Sequence, residues 1–311
     1  MQRFKTISEF HQFQHLSLPE HPLLSIVDVA AVTRLPTQQA LAWTYDFYCI
    51  AIKCFPTPTG LRVRYGQQVY DFTAGLMSFF APGQVISLSG AATATNGLAE
   101  PLQQMGWLLL IHPDFLWNTS LATHIKHYDF WGYAVHEALF LSTREQTVLA
   151  GLLQTMQQEY GAAIDQFSKR IIVAHVEALL HYADRFYHRQ FLTREKTNHH
   201  LVARLDKLLT DYFDRADLPV SGLPTAQYLA DALHLSPVYL RSLLKLLTGQ
   251  TTQQCIHAKL LEKAKEKLTA TNLSVSEVAY QLGFEHVQSF SRLFKAKTSL
   301  SPIEFKQSFT N

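Results

Sequence analysis

Two stretches of the chain, Tyr228–Lys245 and Val278–Lys295, repeat one pattern of small, apolar and basic residues. An alanine stands near the start of each, at Ala230 and Ala279, apolar residues recur at helical spacing, and a lysine ends each stretch. A small residue where two helices cross, followed by a tight turn and apolar locking positions, is typical of a helix-turn-helix unit. The sequence therefore predicts two such units, and a chain that contacts duplex DNA at two places.

The two predicted units differ at the turn. In the first, Ser236 can cap the second helix and Pro237 takes its first position, where a missing N–H costs nothing. Leu235 and Leu240 are five residues apart, whereas Phe284 and Phe290 are six apart, so the second turn is predicted to be one residue longer. The other locking residues are Leu229, Leu233 and Leu243 in the first unit and Val278, Leu282, Gly283 and Leu293 in the second.

The solvent face of each second helix is the predicted reading surface, because such a helix lies in the major groove. The residues on these faces are Val238, Arg241, Ser242 and Lys245 in the first unit and His286, Gln288, Ser289, Arg292 and Lys295 in the second. Arginine can pair bidentately with guanine, glutamine with adenine, and valine can touch a thymine methyl group. The lysines, with Lys297, are better suited to phosphates. For each residue alone, the alternative is an ordinary solvated helix face.

Charge is distributed unevenly along the 311 residues. Residues 1–200 carry 14 Lys+Arg and 15 Asp+Glu, whereas residues 201–311 carry 13 and 10. A more basic C-terminal part agrees with a DNA-facing domain there, although random variation of surface charge would fit almost as well.

Short apolar runs separated by turn residues fill the chain from about residue 23 to residue 111. Several alternate apolar and polar residues, which is typical of half-buried antiparallel strands, and their spacing predicts a small barrel or sandwich. The predicted strands are 24–30, 44–53, 61–65, 68–72, 77–84 and 106–111.

Helical patterns follow residue 112. Short helices are predicted at 121–127 and 133–139, a longer one from the capping box at Ser142 to about Tyr160, and another over about 165–187. The two long helices could form a hairpin that pairs two subunits, or they could only cover the mouth of the barrel.

The expected fold class is therefore α+β, with a cupin-like β-barrel and helical hairpin before an all-α domain. The predicted divisions are a sensor domain at 1–190, made of a barrel at about 20–112 and a helical dimerisation part at about 113–190, a polar linker at 191–200, and a DNA-binding domain at 201–311.

The C-terminal part resembles the DNA-binding domain of the AraC/XylS family of bacterial transcription regulators. The most specific motif runs over 273–295 and closes with 300–306. The resemblance implies two helix-turn-helix subdomains joined by a long helix, here about 253–270, with recognition helices in successive major grooves. Two residues depart from the pattern: His234 stands where such turns often have glycine, implying a strained or shifted turn, and Ser299 stands where the family usually has glycine.

The order of strands and then helices in the N-terminal region is also similar to the sensor domains of such regulators, and residues 65–83 resemble their sensor hairpin. Together with the two long helices and the cysteine pattern, this resemblance predicts a cytoplasmic regulator that works as a homodimer on double-stranded promoter DNA, with an activator as the expected type and a repressor left open. It further implies a small-molecule effector and makes RNA polymerase a candidate partner. A regulator without an effector, controlled by a protein partner, stays an alternative.

The fifteen histidines raise the alternative of a cupin-type metal enzyme attached to a DNA-binding domain. Such a site needs two histidines one residue apart on a strand, which no predicted strand carries, and His124 and His127 are three apart on a short helix. Cys49 and Cys54 lack the partners that a zinc-held repair methyltransferase site requires. We therefore expect no catalytic residue, no metal and no cofactor.

The barrel interior could hold a small ligand, lined by aromatic residues such as Tyr48, Phe72 and Phe80 with Arg62 or Arg64. Alternatively, these aromatic residues simply fill the core and the arginines point outward. The sequence assigns no effector-binding residue. Its N-terminus has no signal-peptide pattern, and its three cysteines form no regular framework, which suits a reducing cytoplasm.

Overall fold

The structure, a computed structural model, describes residues 1–32, 42–54, 62–65, 68–71, 75–87, 105–134, 137–162, 167–193, 195–215 and 217–309. These residues belong to two compact units, Met1–Gln190 and Phe191–Asn311. No helix within the described ranges is long and apolar enough to cross a membrane.

The described part of the first unit contains ten strands. Its strands are β1 (Gln2–Phe4), β2 (Leu24–Asp28), β3 (Ala42–Tyr45), β4 (Tyr48–Cys54), β5 (Arg62–Tyr65), β6 (Gln68–Asp71), β7 (Gly75–Phe80), β8 (Val85–Ser87), β9 (Met105–Ile111) and β10 (Leu139–Leu141). An antiparallel sheet has the order β10-β7-β4-β9-β2, a smaller one the order β1-β3-β8 with β1 parallel to β3, and β5 pairs with β6 as a hairpin.

The core of the first unit follows from the two-residue period of its strands. On β4, Cys49 and Ala51 face one side of the large sheet and Ile50 and Ile52 the other, and all four are buried. Cys49 and Ala51 share a buried cluster with residues of the smaller sheet, including Trp43. The two sheets therefore pack face to face. Within the ranges described, the larger sheet ends at β2 and β10, so the predicted barrel is an open pair of sheets rather than a closed ring.

Four helices are described in the first unit: α1 (Ile7–Gln14), α2 (Leu121–His124), α3 (Thr143–Gly161) and α4 (Ser168–Thr193). The predicted capping box is confirmed, because Ser142 accepts from the Glu145 amide and Glu145 accepts from the Ser142 amide. Arg189 of α4 donates to both carboxylate oxygens of Glu145, at 3.0 and 2.7 Å. This pair ties the two long helices together at one end.

Two local predictions for the first unit are wrong. The helix predicted at 133–139 does not extend to its predicted end, because Leu139 begins a strand, Leu139–Leu141, that is paired with β7. The single strand predicted at 44–53 is two, because β3 and β4 lie in different sheets. In both cases the pairing partner decides the structure, and a short apolar run does not reveal its partner.

The second unit is helical. After α4 its helices are α5 (Glu195–Phe213), α6 (Leu218–Ser221), α7 (Ala226–Leu233), α8 (Pro237–Thr248), α9 (Thr252–Ala270), α10 (Val275–Gln281), α11 (Val287–Thr298) and α12 (Pro302–Gln307). The fold class is α+β, as expected, with an all-α C-terminal part.

The polar linker predicted at 191–200 is a wrong prediction. Residues 191–193 are the last turn of α4 and residues 195–200 are the first turns of α5. Asn198 is buried and donates through its side-chain amide to the Phe191 carbonyl, and the Phe191 ring packs against Tyr239. Polar composition here therefore does not indicate irregular backbone.

One continuous core joins both helix pairs of the second unit. Leu229 and Leu240 from the first pair, Ile256 from α9, and Val278 and Phe290 from the second pair are all buried in it. At its surface, Lys259 of α9 pairs with Asp206 of α5 at 3.0 Å, and Lys263 pairs with Asp214 at 2.6 Å. These contacts place α5 along α9, the long helix that links the two pairs.

Candidate nucleic-acid interface

The first helix pair, α7 and α8, is joined by a turn of defined geometry. Thr225 caps α7 by accepting from the Tyr228 amide, and Ser236 caps α8 by accepting from the Tyr239 amide, as predicted for Ser236. Between them His234 adopts the left-handed conformation, at φ 58° and ψ 44°. Of the two possibilities that the sequence raised for His234, the structure shows the strained turn.

The second pair, α10 and α11, repeats this turn with an added residue. Gly283, at φ 82°, takes the place of His234, and its N–H bonds the Tyr280 carbonyl as that of His234 bonds Asp231. The helix cap follows two residues later in the first unit, at Ser236, but three residues later in the second, at His286. The predicted longer turn is therefore confirmed.

Small residues allow the helices of each pair to cross closely. Ala230 and Ala279 are both fully buried at the crossings, as the motif predicts. In the second pair, the Phe290 ring lies 5.4 Å from Phe284 and 5.7 Å from Phe294. The buried side of α11 is therefore aromatic where that of α8 is leucine, and the opposite side of each helix faces solvent.

The exposed side of α8 carries two of the predicted site residues that are charged. Arg241 and Lys245 are exposed, while Val238 and Ser242 are half-buried. The Ser242 hydroxyl donates to the Val238 carbonyl at 3.0 Å. That hydrogen bond occupies the Ser242 proton, so this hydroxyl can offer a nucleic acid only acceptor capacity while the bond persists.

The exposed side of α11 is richer in polar groups. The predicted residues His286, Gln288, Ser289, Arg292 and Lys295 are all exposed. His286 is the N-cap residue of α11 but its side chain makes no capping bond. Lys297 is also exposed, and neither α8 nor α11 contains an acidic residue. Each second helix therefore presents positive charge without a compensating carboxylate of its own.

The two faces do not superpose residue for residue. The C-terminal caps align Lys245 with Lys295, because Gly249 and Ser299 each bond back to them in the same left-handed conformation. On that alignment Arg292 corresponds to Ser242, not to Arg241. Neighbouring positions on a helix are rotated by about 100° from each other, so the two arginines lie on different sides of their helices.

Two exposed residues beside these faces were not predicted as site residues. Thr248 follows Lys245 by three residues on α8, and Tyr280 is 52% exposed on α10. Helical spacing from Lys245 was a signal for Thr248. Tyr280 had no such signal, because an aromatic residue within an apolar motif is ordinarily read as core.

The alternatives raised for the N-terminal region are a ligand site and a metal site. Tyr48 is buried and packs against Trp131 at a ring distance of 4.8 Å, as a core residue would. Phe72 and the side chains of Arg62 and Arg64 lie outside the described part of the structure. Among the residues described, no group of three or more His, Cys, Asp or Glu side chains could hold a metal ion.

Comparison with known proteins agrees with this geometry. A family model described as a helix-turn-helix domain matches residues 229–308, which run from within α7 to the end of α12. The transcriptional regulator YijO of Escherichia coli is 28% identical over 158 residues, covering 51% of this chain and 52% of YijO. The transcriptional activator RhaS of an Enterobacter species is 36% identical over 105 residues, covering 34% and 36%.

A third relative is the bifunctional transcriptional activator and DNA repair enzyme AdaA of Bacillus subtilis, 31% identical over 100 residues, which cover 32% of this chain and 46% of AdaA. The chain spans about half the length, or less, of these curated relatives. All three relatives are transcription regulators by name, and YijO and RhaS are described as regulators of the helix-turn-helix type. The C-terminal part of the chain therefore carries a helix-turn-helix domain that is similar to those of AraC/XylS-type transcription regulators.

Proposed function

We propose that this protein is a sequence-specific DNA-binding transcription regulator, in which residues 191–311 bind promoter DNA and residues 1–190 sense a signal. The observation that carries the proposal is the pair of helix-turn-helix units whose second helices expose basic and amide side chains and contain no acidic residue. Binding to the chromosome places the protein in the cytoplasm.

Within this proposal the exposed side chains have distinct roles. Arg241 and Arg292 pair with guanine, and Gln288 pairs with adenine, each contributing about 1–3 kcal/mol of discrimination between bases. Lys245 and Lys295 contact phosphates, which set the register without reading sequence. Because Arg241 and Arg292 are offset on their helices, the two units read half-sites of different sequence.

Selection of duplexes from a random-sequence library by the full-length protein, followed by gel shifts over a range of salt concentrations, tests the proposal. We expect one sequence class to be enriched and its binding to weaken steeply with salt. Absence of any enriched sequence would refute sequence-specific binding.

Substitutions then test the roles of the side chains. Arg241→Ala and Arg292→Ala should each weaken binding to the selected duplex by about 5- to 150-fold and relax the preference for one base. The matched control is Arg204→Ala, which removes an exposed arginine of α5 without touching either second helix. Equal losses for all three variants would show a general charge effect and contradict the assigned reading faces.

The signal sensed by the first unit is proposed to be a small molecule that binds between its packed sheets. Support comes from the order of sheets and helices and from the separate core of this unit. All four tryptophans, Trp43, Trp107, Trp117 and Trp131, lie in this unit, so a ligand screen by tryptophan fluorescence reports on it alone. A regulator controlled by a protein partner would give no saturable response to any small molecule.

We further propose that α3 and α4 pair two copies of the chain, which would place four helix-turn-helix units on one promoter. Sedimentation equilibrium of the purified protein tests this, since the chain mass is 35.4 kDa and a dimer has twice that mass. A transcription assay with RNA polymerase on the selected promoter then separates activation from repression.

A further inference from the structure

The short helix α6 lies between α5 and α7 in sequence, yet it packs against the second helix-turn-helix unit. It contacts α10, and Leu218 at its start is buried in the core that both units share. A Cβ atom added to Gly283 would lie 3.1 Å from both the Leu218 carbonyl oxygen and the Gly222 Cα. The turn of the second unit is therefore pressed directly against the backbone of α6 and the residue that ends it.

Glycine at position 283 is favoured by this close approach as well as by the backbone angle. The chain places His234 and Ser299 in the same left-handed region, at φ 58° and 66°. Both of those side chains are exposed, so the conformation by itself admits a Cβ atom at a modest cost in strain. At Gly283 that atom would meet backbone, which cannot move aside as a flexible side chain can.

A compact set of polar contacts holds α6 in place from the side of α5. Tyr212, near the end of α5, donates its hydroxyl proton to the Gly222 carbonyl at 3.0 Å. Arg215 donates to both oxygens of Asp217, at 2.9 and 2.7 Å, and lies 5.2 Å from the Tyr212 ring centre. The Ser221 hydroxyl donates to the same Asp217 carboxylate at 3.0 Å.

The same tyrosine also contacts the first helix-turn-helix unit. Its ring packs edge-on against Tyr228 of α7, with 5.0 Å between ring centres. Residues 212–215 and 217–222 thus contact the first unit through Tyr212, and they contact Gly283 of the second unit through Leu218 and Gly222. We call these residues the α6 strut.

We propose that the α6 strut sets the angle between the two helix-turn-helix units, with Tyr212 as its positioning residue. Both units also pack on α9, the long helix that links them along the chain, and they bury residues in one shared core. The α6 strut adds a contact beside α9 that opposes rotation of one unit relative to the other about that helix, so the two recognition helices form one rigid reading surface. The proposed effect on the angle does not depend on DNA binding, whereas its consequence for DNA binding rests on the proposed function.

A distance measurement on the full-length protein without DNA tests the angle. With the native cysteines replaced by alanine, nitroxide labels at Ala232→Cys on α7 and Ala296→Cys on α11 occupy exposed positions, one in each unit. Electron paramagnetic resonance then gives the distribution of distances between the labels. We expect a single narrow distribution that broadens or shifts in Tyr212→Phe, which removes only the hydroxyl, and in Asp217→Ala.

Tyr280→Phe is the matched control, because it removes an exposed tyrosine hydroxyl outside the strut, and it should leave the distribution narrow. An unchanged distribution in both strut variants overturns the proposal. Asp217 and Tyr212 hydroxyl changes leave the apolar core intact, and circular dichroism confirms that each variant is folded before labelling.

The DNA arm uses the duplex that the wild-type protein selects, with one base pair inserted between its half-sites. The insertion moves them apart by about 3.4 Å, so the rigid wild-type protein should lose about tenfold or more in affinity, whereas Tyr212→Phe should lose clearly less. Equal losses overturn the rigid reading surface. If the wild-type protein selects no duplex, the proposed function fails, and the label distances still decide whether the strut sets the angle.

Discussion

The two recognition helices end in the same backbone conformation but with different residues. Gly249 ends α8 at φ 72° and ψ 1°, and its N–H bonds the Lys245 carbonyl at 3.1 Å. Ser299 ends α11 at φ 66° and ψ −4°, and its N–H bonds the Lys295 carbonyl at 2.9 Å. The chain therefore contains its own comparison of glycine with an L-residue at one helix terminus.

We predict that Ser299→Gly stabilises the second unit and that Gly249→Ser destabilises it by a similar amount. The left-handed conformation costs an L-residue about 1–2 kcal/mol. Glycine loses more conformational freedom on folding, and this offsets about 0.5–1 kcal/mol of the strain that it avoids. The net change should be about 0.5–1 kcal/mol in each direction. At Gly249 no atom lies within 4 Å of an added Cβ, so no steric term enters.

Urea unfolding of the full-length protein measures the change, with circular dichroism at helical wavelengths following the helices of both units. Tryptophan fluorescence follows the first unit separately, because all four tryptophans lie there, and its midpoint should not move. A neutral Gly249→Ser, or a Ser299→Gly that lowers the midpoint, would refute the strain argument, since the two sites share one backbone geometry.

Three further predictions concern the second unit. Gly283→Ala should destabilise it by more than the strain of about 1–2 kcal/mol alone, because the added Cβ also meets backbone of the α6 strut; urea unfolding against Gly249→Ala isolates the excess. His234→Gly should raise the free energy of unfolding by about 0.5–1 kcal/mol, because glycine relieves the left-handed strain. A lower free energy of unfolding would show that the imidazole of His234 stabilises the fold by more than its backbone conformation costs. The Ser274 amide donates to Glu277 at 2.7 Å, and this bond together with the Ser274 hydroxyl lowers the pKa of Glu277 from 4.5. The Glu277 carboxylate therefore stabilises the fold above about pH 4.5, and this contribution is lost as pH falls through the lowered pKa. Glu277→Gln should remove that part of the acid sensitivity in a pH series of unfolding midpoints.

The features that the sequence predicted well are those set by neighbouring residues. Ser142, Ser236 and Ser274 cap helices because a hydroxyl at that position reaches an amide two or three residues ahead, whatever the rest of the chain does. Buried Ala230 and Ala279 follow from the helical period around them. Such signals locate the helix pairs and their turns without any tertiary information.

The features that the sequence missed depend on distant partners. Strand β10 exists because the edge of β7 is available to it, and β1 exists because β3 lies alongside. Neither short segment carries enough residues to show a period. The helical course of residues 195–200 likewise depends on buried contacts such as that of Asn198, which polar composition conceals.

The candidate site shows the same division. The sequence predicts that Arg241 and Arg292 both lie on the solvent faces and pair with guanine, but it does not show that they occupy different positions on their helices. The extra residue lies in the turn between Gly283 and His286, so α11 aligns with α8 cap for cap and buries Phe290 where α8 buries Leu240. On this alignment Arg292 lies one position beyond Arg241, and one position on a helix corresponds to a rotation of about 100°.

The position of that extra residue also fits the α6 strut. The strut requires Gly283 and the end of α10 to keep their place, since its backbone touches them directly. A residue inserted before Gly283 would move this contact, but one inserted after it moves only the start of α11. The extra residue therefore leaves the contact between Gly283 and the α6 strut in place, and the offset of Arg292 from Arg241 allows different half-sites to be combined with the fixed angle that we propose.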